Sequence, residues 1–170
     1  ALNVALIIAV REATSLGDRF IGAHTIAINL WLFAAFFIDG YAAAGNSMAG
    51  KLLGAKDYNG LWTLAKKIMA YGMVVSFVLM AAGFLFYQPL GRIFSNEAIV
   101  LSTFYSVFYL VIIGLPINTI AFLFDGIFKG LGEMKYLRNV LLMATFLGFV
   151  PTLYIGKALG WGFYAIWIAF

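Results

Sequence analysis

Residues 20–49, 68–87, 99–128 and 137–155 are four apolar stretches that between them hold three charged side chains, Asp39, Asp125 and Arg138. A helix needs about 20 apolar residues to cross the hydrocarbon core of a bilayer, and about 25 when tilted. The stretches meet that length, and no short alternating strands of the barrel kind interrupt them. The chain as a whole is 64% hydrophobic and 11% charged, with a mean hydropathy of +0.99. A soluble domain is about 45–50% apolar and about 25% charged. A water-soluble exterior cannot be built from so little polar material, so the surplus apolar surface faces lipid. A shorter run over residues 1–16 and another opening near Trp161 flank the four. The expected fold is an all-α polytopic transmembrane helix bundle of about five to six spans, because in lipid only a helix satisfies its own backbone. The abrupt start at Ala1 and the run still open at Phe170 give the expectation of a fragment of a longer protein.

Charge in the connections sets the expected orientation. Between the second and third runs lie Lys51, Lys56, Lys66 and Lys67 against Asp57. Between the fourth and fifth lie Lys129, Lys135 and Arg138 against Glu133. The other connections hold Asp18 with Arg19, Arg92 with Glu97, and Lys157 alone. Positive charge alternates with loop parity, which places the second and fourth connections in the cytoplasm. Within Lys51–Lys67, Leu61, Trp62, Leu64 and Ala65 fit either an amphipathic segment on the inner surface or an early start of the third helix. The third run is expected to stop at Gln88-Pro89. The chain has no cysteine, hence no disulfide framework and no cysteine-based metal site or nucleophile. No nucleotide-binding fingerprint, zinc-protease motif or nucleophile elbow occurs. An enzyme is not expected, nor a cofactor, nor a nucleic-acid partner.

Ionisable groups inside membrane runs are costly, which makes each a functional candidate. Asp39 and Asp125 both sit in Phe-x-x-Asp-Gly, at Phe36–Gly40 and Phe122–Gly126, on alternate runs that descend toward a basic connection. Repeats of this sort are common in secondary transporters. Each carboxylate either binds a proton, a sodium ion or a cationic substrate, or holds a helix end in place. Lys129 lies four residues after Asp125, which favours a structural ion pair there. For Asp39 both readings stand. Asn118 lies two residues after Pro116, and proline in a membrane helix frees a backbone carbonyl. The expectation is a bend near Ile112–Pro116 with Asn118 facing the interior. Asn29 and Asn46 are further candidates for a polar lining, with Asn3 and Glu12 contributing from the first run. His24 is expected at the outer end of its helix, solvated or relaying protons. Gly50-x-x-x-Gly54 is formally a close-packing motif.

Three segments in order resemble the eighth helix of the MATE (multidrug and toxic compound extrusion) family and the loop after it: Ala23–Trp31, Phe36–Gly40 and Gly50–Asp57. Asp125–Gly130 with Arg138-Asn139 resembles the end of the tenth helix and the start of the eleventh. The Asp-Gly pairs look most like the DinF-like branch. The resemblance implies that residues 1–170 form a single membrane domain. It would be part of the C-terminal six-helix lobe of a twelve-helix, two-lobe transporter, from the end of helix seven to the start of helix twelve. It also implies a secondary active multidrug efflux antiporter that exchanges organic cations or amphipathic toxins for H+ or Na+, multi-pass in the cell (inner) membrane. Implied partners are the substrate, the coupling ion, the bilayer and the missing N-terminal lobe. The NorM-like branch has a carboxylate where this chain has Asn118. Two other readings remain: a lipid-linked oligosaccharide flippase of the same superfamily, for which Arg11 is the one basic cavity candidate, and a non-transport membrane structural subunit.

Overall fold

The computed structural model describes residues 2–170; Ala1, the first residue of the first apolar run, lies outside it. Among the described residues the chain is helical with no strand. Helix α1 covers Leu2–Leu16, α2 Asp18–Gly54, α3 Tyr58–Phe94, α4 Ala98–Gly130, α5 Met134–Ala158 and α6 Phe163–Ala169. By length and composition α2, α3, α4 and α5 can each cross a membrane. A 37-residue helix such as α2 rises about 55 Å, well beyond a hydrocarbon core of about 30 Å, and α3 holds as many residues on the two sides of a kink. Their ends therefore stand in the headgroup zone or in water.

The turns follow from local chemistry. Gly17 breaks α1 from α2 at φ +117°, a conformation that suits glycine alone. At the end of α4, Gly132 adopts φ +78°. There the Gly132 N–H donates to the Lys129 carbonyl and the Glu133 N–H to that of Phe128, a Schellman closure. The end of α2 closes in the same pattern, with Lys56 rather than glycine at the positive-φ position. Asp57 then caps α3 by accepting the Gly60 N–H at 2.8 Å. Residues 58–67 are thus the first turns of α3: of the two readings of the lysine-rich segment, the early helix start is the one observed.

The prolines of α3 and α4 sit in different surroundings. α3 breaks at Phe86 (φ −111°, ψ 18°), close to the expected stop at Gln88-Pro89, and a further helical segment continues beyond this kink to Phe94. Pro89 lacks the N–H that would bond the Leu85 carbonyl, and its ring crowds that carbonyl, so the turn before it opens. The Tyr105 hydroxyl from α4 donates to the Gln88 carbonyl at 3.0 Å and holds the segment beyond. Pro116, by contrast, lies inside one unbroken helix. In α5 the six residues Ala144–Phe149 widen to a π-helical turn just before Pro151.

The chain divides into two compact units. Among the described residues the first comprises 2–30, 84–112 and 138–170. In it α1 buries Ala5, Ala9 and Ala13 and packs on α6 and on the π-helical turn. Phe104 stacks on Phe108 with ring centroids 4.7 Å apart. The second unit comprises residues 31–83 and 113–137. Its core joins Ile38, Ala42 and Ala49 of α2, Leu64 and Ile68 of α3, and Leu123 and Ile127 of α4.

Candidate functional site in the second unit

The second unit is built on a close approach of α2 and α4. A Cβ on Gly126 would collide with the carbonyl of Ala42, and one on Gly130 with the carbonyl of Asn46 and with Ala49. A Cβ on Gly50 would lie 3.2 Å from the Gly130 carbonyl. Contacts advance in the same direction along both helices, so the two run parallel. Backbones this close gain dispersion and weak Cα–H···O contacts, the means by which membrane helices associate without a hydrophobic drive. The close-packing motif is therefore Gly126-x-x-x-Gly130. Gly54, which the sequence pattern pairs with Gly50, has open space around it. The Asp-Gly-Ile-Phe-Lys-Gly spelling was itself a visible signal for the observed pair.

This packing presents the two carboxylates differently. Asp125 is half-buried and forms an ion pair with Lys129 one turn on. Asp39 is exposed and, among the described residues, has no ion-pair or hydrogen-bond partner. It sits two turns before Asn46, also exposed, with Ala43 between them on the same face. Phe36 and Phe37 flank it, 71% and 49% exposed. A carboxylate facing hydrocarbon costs about 2.5–3.5 kcal/mol or more. At hydrocarbon depth the Asp39–Ala43–Asn46 face would require protein or a water-filled cavity against it, whereas Asp125 has its countercharge at hand. Asn118 is half-buried on α4 and makes no hydrogen bond among the described residues. Its neighbour Thr119 is buried and donates to the Leu115 carbonyl at 2.8 Å.

The remaining candidates lie in the first unit. Asn29 is exposed, and its amide nitrogen donates to the Thr25 carbonyl at 2.7 Å, so half of its polarity is used within its own helix. Glu12 is not a solitary lining group: Lys157 of α5 donates to it at 2.7 Å. Asn3 and Arg11 are exposed on α1. His24 departs furthest from expectation. It is 1% exposed rather than solvated, packed against Trp167 of α6 with ring centroids 5.3 Å apart. Neither ring nitrogen meets a hydrogen-bond partner among the described residues. Its cover comes from the far end of the chain, which no local pattern around Gly22-Ala23-His24 announces. No group of three or more His, Cys, Asp or Glu among the described residues is placed to hold a metal ion.

The MatE family profile matches residues 2–154. Protein DETOXIFICATION 42 of Arabidopsis thaliana is 29% identical over 161 residues, covering 89% of this chain and 29% of that protein. Protein DETOXIFICATION 43 is 28% identical over 169 residues, covering 95% and 30%. The chloroplastic Protein DETOXIFICATION 44 is 24% identical over 157 residues, covering 90% and 30%. The chain thus spans about three-tenths of the length of the curated relatives it matches. A solved structure, described as the outward-facing conformation of a multidrug resistance MATE family transporter of the MOP superfamily, superposes with a TM-score of 0.90. It is 19% identical, and the match covers 98% of this chain and 38% of that one. At that identity the likeness speaks for the fold.

Proposed function

The chain belongs to the MatE family of membrane proteins, and from that membership we propose that it forms part of the C-terminal lobe of a DinF-like secondary transporter. In this reading the full-length protein expels organic cations or amphipathic toxins in exchange for H+ or Na+ across the cell (inner) membrane. The observation that carries it is the exposed, unpaired carboxylate of Asp39 on the Asp39–Ala43–Asn46 face of α2. Such a face is incompatible with lipid and suits a polar cavity closed by the rest of the protein. Asp39 would hold the coupling ion or the cationic substrate, and Asn46 and Asn118 would add polar lining. Pro116 would let α4 flex as the cavity changes sides. Asp125, committed to Lys129, would hold the helix end.

The test is Asp39→Asn in the full-length protein, reconstituted with an imposed proton or sodium gradient. Losing one charged contact worth ~1.5 kcal/mol should lower gradient-driven efflux about tenfold with membrane expression unchanged. Unaltered transport would remove Asp39 from the ion or substrate pathway. Orientation is tested separately. A cysteine replacing Asn59 should be labelled by an impermeant reagent from the cytoplasmic side, and one replacing Asn96 from the other. Labelling of both from one side would overturn the assignment.

A further inference from the structure

Along the second unit, α3 and α4 leave a groove of about 400 Å³, open on one side and walled almost entirely by apolar atoms. Met69, Ala70, Phe124 and Ile127 line it, with Trp62 and Lys66 at one end. The Lys66 ammonium lies 5.1 Å from the Trp62 ring centroid. We propose that this groove is a binding site for an anionic phospholipid, with an acyl chain along Met69–Phe124 and the headgroup at Lys66.

Three observations converge on that occupant. First, α3 is the least covered of the four candidate spans, its most apolar window only 17% buried. Between Lys67 and Arg92 it carries no charged residue. Its exposed surface is thus acceptable to lipid, in contrast to the Asp39 face of α2. Second, the polar end of the groove lies in the first turns of a helix far longer than the hydrocarbon core. Trp62 and Lys66 therefore reach the headgroup level, where an indole and a lysine on an apolar stem are both at home. Third, the charge at that end is cationic. Lys66 and Lys67 have no carboxylate partner among the described residues, while the nearby Asp125 is already bound by Lys129. A phosphodiester without a compensating cation of its own supplies the missing charge. Methionine at the wall suits a flexible chain, because its unbranched side chain re-packs around irregular shapes.

The experiment uses the full-length protein in nanodiscs of phosphatidylcholine containing either brominated phosphatidylglycerol or brominated phosphatidylcholine at equal mole fraction. The Trp62 signal is isolated as the difference between the protein and its Trp62→Phe variant. Brominated phosphatidylglycerol should quench that signal several-fold more than brominated phosphatidylcholine. Lys66→Gln should bring the ratio to one, while Lys67→Gln leaves it high. Ala70→Phe, which fills the groove, should weaken quenching by both lipids. Equal quenching by the two lipids in the unaltered protein would overturn headgroup selection. Absence of quenching by either, with a cysteine at Ala70 cross-linking to another segment of the same chain, would show that protein covers the groove and would overturn the proposal. Neither result depends on transport, so failure here leaves the role of Asp39 standing.

Discussion

Phe36–Gly40 on α2 and Phe122–Gly126 on α4 spell the same motif at corresponding places on two parallel helices, yet the fold uses them in opposite ways. On α4 the glycine is the working residue: Gly126 lies on the Ala42 carbonyl, and Asp125 is neutralised by Lys129. On α2 the glycine is idle, with nothing near the place of its Cβ, and the carboxylate stands exposed and unpaired. The difference comes from what lies one turn further on. Lys129 follows Asp125 at a spacing that brings the two ends together, while Ala43 occupies that position after Asp39. One copy became a packing joint, and the other kept a polar group available. A duplicated motif in a membrane bundle therefore does not imply a duplicated role.

The largest expected effect tests the packing half of this contrast. Gly126→Val should destabilise the full-length protein by about 3 kcal/mol or more, since the new side chain collides with backbone that cannot rotate away. It should appear as a large loss of folded protein after heating in detergent. Gly40→Val should cost far less, and Gly40→Ala should be neutral or stabilising by up to about 1 kcal/mol, because alanine favours the helix. Equal sensitivity at the two glycines would dissolve the distinction.

Much of the fold was legible because a membrane writes its demands locally. Charge-free length announces a span, and glycine or a capping aspartate announces its end; α2, α4 and α5 begin and end within a few residues of the apolar runs. α3 was less sharply drawn: its start was open between two readings, and its expected stop at Gln88-Pro89 is a kink at Phe86 with helix beyond it. Asp57 starts it ten residues before the apolar run, and Tyr105 holds it together beyond Pro89. The site was less legible, since it depends on which residues meet across helices. The i,i+4 pairing of Asp125 with Lys129 could be read directly. The pairing of Glu12 with Lys157, 145 residues apart, could not, nor could the burial of His24 under Trp167.

A smaller effect concerns the ends of the two helices. Both close with the same backbone pattern, but α4 has Gly132 at the positive-φ position where α2 has Lys56. A residue with a Cβ pays about 1 kcal/mol there. Lys56→Gly should therefore raise stability by about that amount, and Gly132→Ala should lower it by a similar amount. If both substitutions shift the melting temperature in the same direction, the two closures are not equivalent.

The smallest expected effect falls on the residue that looks most like a functional charge. The Asp125–Lys129 pair joins two side chains that are partly open, at i,i+4 on one helix, with relative exposures of 22% and 43%. Pairs at this spacing contribute about 0.3–0.5 kcal/mol in isolated helices, because holding two long side chains in one geometry costs entropy. Asp125→Asn should lower stability by no more than about that amount. Adding Lys129→Gln should lower it little further, since the partner has already lost its charge. Gradient-driven efflux by Asp125→Asn should stay within about twofold of the unaltered protein, against the roughly tenfold loss expected for Asp39→Asn. If Asp125→Asn abolished efflux at unchanged stability while Asp39→Asn transported normally, the roles of the two motifs would have to be exchanged. The ion pair on α4 would then be the coupling device, and the exposed carboxylate on α2 would need another explanation for its cost.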